Sequence, residues 1–291
     1  MTKELGQILI IYNPAAHGGK AANTSNLYRH FLKKQCIPFT NYLTKGVDDT
    51  KYIHSIFEHN TFTKIVIIGG DGTLNLAINA LPSLSIPIVL IPAGTGNDLA
   101  KILYQKVDLD EIFKRSIASD FSTKSIDVWK CNNQRFINVF GVGFDGELAY
   151  AMTGKKYWLP SFLKYWIEIA KHIFTYKTKT ISIDNEPRSS FMLCAANGKV
   201  FGGDFYIAPT AVPDDGMLEI INIGKVSLLQ RLMYLPKIQK GKHLNLNVVS
   251  YTQQDTLVIE AKINMIAQLD GEPMIASRFH IKNDGKATFL I

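Results

Sequence analysis

The run Lys64-Ile65-Val66-Ile67-Ile68-Gly69-Gly70-Asp71-Gly72-Thr73 decides the fold. Its four consecutive β-branched residues read as a strand buried on both faces, over 64–68. Glycines at the strand's carboxyl end leave backbone room for a ligand, and a helix follows over 73–81. The free N–H groups of a helix start suit an anion, so the turn has the character of a phosphate site. Thr73 can cap that helix or donate to a phosphate. The turn is not a P-loop, since no G-x-x-x-x-G-K-[ST] occurs and Gly19-Lys20 is followed by alanine.

The same unit recurs on either side. Ile8–Tyr12, Phe39–Leu43 and 86–91 are further strands, alternating with helices over Lys20–Lys34 (Leu27, Phe31 and Leu32 on one side) and 47–57. Strands alternating with helices imply a doubly wound parallel sheet, which binds ligands beyond its carboxyl strand ends. Two more loops follow strands: Asn13-Pro14-Ala15-Ala16-His17-Gly18-Gly19-Lys20, and Pro92-Ala93-Gly94-Thr95-Gly96-Asn97-Asp98. Each is weak alone; several at one sheet edge are specific. His17 by itself reads as a solvated loop residue.

From about Lys124 the pattern changes. Paired strands are expected over 126–131 and 136–140 across the turn Asn132-Asn133-Gln134, then a helical interlude over 147–174. Short strands follow over 180–183, 191–196, 217–223, 244–251, 256–260, 263–269 and 278–282. The expected fold is α/β with two domains. Residues 1–124 form a Rossmann-like nucleotide domain. Residues 125–291 form an antiparallel β-sandwich domain, with room for the last strand to pack back on the first domain.

In 291 residues, 46% hydrophobic and 20% charged content excludes a disordered or fibrous chain. Three scattered cysteines without a C-x-x-C pair argue against a disulfide framework or a structural zinc, and for the cytoplasm. The uncharged stretch 72–97 is broken by Pro82, Pro87, Pro92, Gly94 and Gly96, so it reads as core and not as a membrane span. The run 8–11, cut off by Asn13-Pro14, is not expected to serve as a secretory core. A net charge of +7 favours phosphate-bearing partners. In 155–179, Lys155-Lys156-Tyr157-Trp158 and the lysines and aromatics after it contain one acid, Glu168, a composition suited to an anionic bilayer surface or to a solvated helix face.

Taken together, Gly69-Gly70-Asp71-Gly72-Thr73, the Asn13-Pro14 loop and Pro92-Ala93-Gly94-Thr95-Gly96-Asn97-Asp98 resemble the diacylglycerol kinase and sphingoid-base kinase family, including its bacterial soluble lipid kinases. The likeness continues through Gly141-Val142-Gly143-Phe144-Asp145, Ile207-Ala208-Pro209, Asp214-Asp215-Gly216 and Asp270-Gly271-Glu272. Leu99 replaces a usual phenylalanine, and Asp204 a third glycine after Gly202-Gly203.

The resemblance implies an ATP-dependent lipid kinase related in fold to NAD kinase, with diacylglycerol as the first acceptor to consider. Other lipids (a sphingoid base, phosphatidylglycerol, a polyprenol) are alternatives. It places the nucleotide on Gly69, Gly70, Asp71, Gly72, Thr73, Leu74 and Asn75, with Asn13, Pro14, Ala15, Ala16, His17, Thr44 and Thr95 beside them. Lys20 joins them by charge and position. It implies a structural Mg²⁺ held by the Asp215 carboxylate and the carbonyls of Val212 and Met217, although an Asp-Gly turn needs no metal. It makes Asp270 the general base, where Asp270-Gly271 alone would read as a hairpin turn.

The expected partners are ATP, a lipid and the anionic inner membrane surface, reached peripherally from the cytoplasm. A homodimer is left open and no nucleic acid is expected. An NAD kinase and a noncatalytic nucleotide-binding protein are the competing readings.

Overall fold

A computed structural model of the chain describes residues 7–104, 106, 108–118, 120, 122–153, 161–202 and 205–291, with backbone alone at 161, 162 and 165. The residues Lys155 to Pro160 of the basic aromatic segment, and Gly203 and Asp204, lie outside the described residues. The chain divides into two compact units, 1–126 with 285–291, and 127–284.

In the first unit β1 (Ile8–Tyr12), α1 (Lys20–Lys34), β2 (Phe39–Leu43), α2 (Asp49–His59), β3 (Lys64–Gly69), α3 (Asp71–Ala80) and β4 (Ile88–Pro92) alternate as expected; two successive helices that were not expected, α4 (Asp98–Leu103) and α5 (Leu109–Ile117), follow. The strands are parallel in the order β2-β1-β3-β4, and Phe289 at the chain's end pairs in parallel with Ile88. β1, β3 and β4 are buried almost throughout, as strands covered by helices on both faces must be. Leu27 is not on the buried side of α1: the buried stripe is Ala21, Thr24, Ser25, Tyr28 and Leu32, at helical spacing. Tyr28 enters the core because its hydroxyl meets Ser116 Oγ at 2.8 Å.

β5 (Thr123–Cys131) leads into the second unit. There β6 (Gln134–Phe136) and β7 (Val139–Gly143) precede α6 (Phe144–Met152) and α7 (Ser161–Thr175). Then come β8 (Lys179–Ile183), β9 (Glu186–Ser190), β10 (Met192–Ala196), β11 (Leu218–Ile223), α8 (Leu228–Gln239), β12 (Val249–Gln254), β13 (Thr256–Leu269) and β14 (Glu272–Leu290). The sheet is antiparallel in the order β12-β11-β10-β7-β13-β14. Alternate residues of β10 serve two cores: Leu193 and Ala195 pack with Trp129, Phe140 and Phe279, whereas Met192 and Cys194 pack with α6 and α7.

Several local expectations change. Residues 136–140 are split between β6 and β7 at Ile137-Asn138, and residues 244–248 are turns, so that strand starts at Val249. Residues 256–269 form one strand with a register shift between Glu260 and Met265, where two short strands were expected. Helix α8 was not expected, and it forms with Pro236 inside it. Proline's ring excludes one backbone bond, but a Ser227–Gln230 capping box secures the start.

Candidate active site

β1 leads to β2 on one side and its neighbour β3 leads to β4 on the other, so the loops leaving these adjacent strands diverge and the crevice at their carboxyl ends is a topological switch point. Three loops meet there. Ala93 N donates to Gly69 O at 2.8 Å, joining the ends of β3 and β4. A Cβ on Gly94 would lie 2.3 Å from the Gly70 Cα, and one on Gly70 would lie 2.9 Å from the Gly94 Cα. These glycines are therefore required first by each other: the two loops pack backbone on backbone. The Asn97 side chain closes its own loop, accepting from Gly94 N and donating to Gly94 O, both at 2.9 Å. The Asp71 carboxylate accepts from Asp98 N at 2.8 Å, so the acid of the first loop braces the second.

Of the residues assigned to the nucleotide, Gly72 is exposed and Gly70 and Asp71 half-buried at the α3 start, while Gly69 is buried in β3. Thr73, Leu74 and Asn75 have buried side chains. Thr73 does not cap α3; Gly70 is the N-cap, and the Thr73 side chain fills the space above Gly69. What this loop offers to solvent is chiefly backbone.

The β1 loop turns back on itself, with Ala15 N donating to Asn13 Oδ1 and Ala16 N to Asn13 O; Pro14 lies half-buried within that turn. His17 is exposed with left-handed backbone (φ 48°), and its Nδ1 lies 3.3 Å from Thr95 Oγ1. The β1 and β4 loops thus touch across the β3 loop. Lys20 is the exposed first residue of α1, and Thr44 donates its N–H to Tyr12 O at 3.0 Å at the end of β2. All the first-unit residues assigned to the nucleotide lie at this sheet edge or in the first turns of α1 and α3.

In the second unit Asp270 sits between β13 and β14 with left-handed backbone (φ 52°) and is 8% exposed. Its carboxylate accepts from three backbone N–H groups: Ile137 at 2.8 Å, Asn138 at 2.9 Å and Val139 at 3.0 Å. The break between β6 and β7 is what points these donors at it. Such charge-assisted bonds hold the acid in one orientation. Glu272 beside it remains open to solvent, yet partial loss of water, and then the charge of Asp270, hold its carboxyl above the ordinary value.

Behind the turn, Gln268 Oε1 accepts from Gly271 N at 2.7 Å. Asp145, buried at the start of α6, has its carboxyl pushed up to about 6 by burial, against the hydrogen bond it accepts from Gln268. It borders a cavity that is otherwise apolar apart from Arg231, lined by Phe144, Leu148, Ile169, Phe191 and Ile207 among others.

At the Asp214-Asp215-Gly216 turn, Asp215 is exposed and its Oδ1 accepts from Met217 N at 2.9 Å; Val212 is exposed and Met217 half-buried. Gly216 N donates at 2.8 Å to Oδ2 of Asp127, a carboxylate with no exposure at all. Sequence reasoning assigned no role to Asp127 or Gln268. The available signal was an acid or amide inside a strand otherwise apolar on both sides.

Residues 7–131 match the family model described as the diacylglycerol kinase catalytic domain, and residues 138–282 that of the YegS C-terminal NAD kinase beta sandwich-like domain. The chain is 25% identical over 274 residues to the diacylglycerol kinase of Bacillus subtilis (strain 168), covering 90% of this chain and 88% of the relative. It is 30% identical over 219 residues to the "Probable lipid kinase YegS-like" of Shewanella frigidimarina, covering 72% and 70%. A crystal structure of a diacylglycerol kinase from Bacillus anthracis matches with a TM-score of 0.71 at 23% identity, over 99% of this chain and 98% of that one; this is a likeness of fold.

Proposed function

The chain belongs to the diacylglycerol kinase and YegS-like family of lipid kinases, and on that premise we propose that it transfers the γ-phosphoryl group of ATP to the hydroxyl of diacylglycerol. The observation that carries the nucleotide half is the glycine contact between residues 70 and 94. It brings two strand-end loops together at the switch point and leaves backbone donors at the start of α3 to take phosphate oxygens. The apolar cavity of the second unit supports a lipid acceptor.

Asp270 takes the acceptor's proton as the acceptor oxygen bonds to the γ-phosphorus; the bond from that phosphorus to the β–γ bridging oxygen breaks and ADP leaves. The backbone bonds from Ile137, Asn138 and Val139 keep the carboxylate aimed while this happens. At the 214–216 turn the available donors are the exposed carboxylates of Asp214 and Asp215 and main-chain carbonyls. Among the described residues no three His, Cys, Asp or Glu side chains cluster to hold a metal. That all-oxygen set fits Mg²⁺ with retained waters, held by Asp215, Val212 and Met217. When bound, the ion supplies positive charge that secures the turn.

Purified protein with labelled ATP and Mg²⁺ is offered a panel of lipids in mixed micelles, with NAD as a separate arm. Label is expected in phosphatidic acid. Label in NADP, or in no acceptor, would refute the reading; label in another lipid phosphate would move only the choice of acceptor.

A further inference from the structure

Helices α7 and α8 carry apolar side chains on two faces. Ile169 and Ile173 of α7, and Tyr234, Leu235 and Ile238 of α8, turn inward and line the apolar cavity. Turned outward are Leu163, Ile167 and Phe174 on α7, and Leu228, Leu229, Leu232 and Met233 on α8, all exposed. Their spacings, i, i+4 and i+11 on one helix and i, i+1, i+4 and i+5 on the other, each define one helix face. Leu229 is 66% exposed and Phe174 61%. Arg231 of α8 donates to Ile173 O of α7 at 2.6 Å and lies over the Phe191 ring at 4.6 Å, so the two helices are tied together. A surface ordinarily scatters such residues singly; seven of them, gathered on one face of each of two helices that touch, mark an interaction site.

Among the described residues, the exposed charges of α7 and of residues 224–254 are of one sign. Residues 224–254 contain no Asp or Glu, while Lys225, Lys237, Lys240 and Lys242 are exposed. The single acid of α7, Glu168, is buried, and Lys171 on the same helix is exposed. A symmetric second copy would set two basic, acid-free faces against each other, which opposes dimerisation through them. An anionic bilayer satisfies both features, taking the apolar residues at the acyl boundary and the ammonium groups at lipid phosphates.

We propose that the outer face of α7 and α8 is the surface by which this protein docks on an anionic membrane, with the apolar cavity directly behind it. The choice of a bilayer as the occupant rests on the lipid-kinase reading. The docking face itself does not need Asp270 or the nucleotide loops.

The test is sedimentation with vesicles of phosphatidylglycerol and phosphatidylcholine, compared with phosphatidylcholine alone. The triple variant Leu229→Gln/Leu232→Gln/Met233→Gln should bind the anionic vesicles ~10-fold or more weakly. Lys237→Glu/Lys240→Glu should lose the preference for anionic lipid, and native binding should fall as salt rises. Leu27→Gln, at a comparably exposed leucine of α1 (61%), should bind as the native protein does. With a short-chain diacylglycerol dissolved as monomer, the triple variant should keep its turnover, losing it only on long-chain lipid in vesicles. Native-like sedimentation of the triple variant overturns the proposal, as does equal loss in Leu27→Gln. So does a native dimer that the triple variant converts to monomers without losing vesicle binding. A native protein that binds vesicles through this face but phosphorylates no lipid would sink the kinase reading and leave the docking face standing.

Discussion

Gln268 donates through Nε2 to Asp145 Oδ2 at 2.7 Å while its Oε1 receives the N–H of Gly271, so one fully buried amide joins the acid of α6 to the turn that carries Asp270. Burial holds the Asp145 carboxyl at about 6, well above its ordinary value of 3.8. A raised acid binds its proton more tightly in the folded state. Its neutral form therefore favours folding below about pH 4, and stability is lost as pH rises through 6. Asp145→Asn, which keeps an acceptor for Gln268, should flatten that loss and stabilise the protein at pH 7.5 by on the order of 2–3 kcal/mol. Melting curves at pH 5 and pH 7.5 test this; an unchanged pH slope counts against it.

Gln268→Leu should act through its neighbours. It leaves the buried Asp145 carboxyl without its donor, at ~1–3 kcal/mol, and frees the N–H of the exposed Gly271 from the turn. Turnover should fall as the Asp270 turn loosens, with little change in ATP affinity. Unchanged turnover in folded protein would show that the turn needs no such support.

Asp270→Asn should lower turnover by ~100-fold or more, the loss typical of a missing general base. It should also lower the melting temperature. Oδ1 and Oδ2 both accept backbone N–H groups, so an amide nitrogen at either position sets donor against donor. ATP affinity, measured well below the melting temperature, should be unaffected. Native turnover in this variant would place the base elsewhere.

Gly94→Ala should be more damaging than an ordinary loop substitution. Its Cβ would fall 2.3 Å from backbone, so one of the two loops must move. Nucleotide affinity should drop at least ~10-fold and stability by ~1–3 kcal/mol, the cost of overpacking. Calorimetric titration with ATP checks it, and native affinity would refute the paired-loop site.

Asp215→Asn preserves an acceptor for Met217 N and removes one exposed charge. In chelator its melting temperature should match that of the native protein, and the rise produced by adding Mg²⁺ should disappear. Asp127→Asn, by contrast, should destabilise with or without Mg²⁺, because the two oxygens of that buried carboxylate accept from Gly216 N and from Asn283 Nδ2, and an amide nitrogen at either position sets donor against donor. An equal magnesium response in the native protein and Asp215→Asn would remove the ion from this turn.

Much of the architecture was readable without coordinates. β1, α1 and β2 run over the residues expected of them: β1 because a strand buried on both faces must be apolar at every position, α1 and the only partly buried β2 from the alternation around them. The loops at 13–20, 69–73 and 92–98 were legible as a set, since glycine after a buried strand is needed wherever backbones approach closely. Tertiary structure alone decided what those glycines approach: Gly70 and Gly94 meet each other, a contact between residues 24 positions apart that no local pattern encodes. It likewise decided that Thr73 is packing and that Leu27 faces water. It bound Asp145 to Asp270's turn through Gln268, and drew a helix across 228–239 despite Pro236. Local sequence limits which backbone shapes are available, whereas buried polar groups find partners only when distant strands come into register. That is why the loops were visible in the sequence and the bonds that hold Asp270 were not.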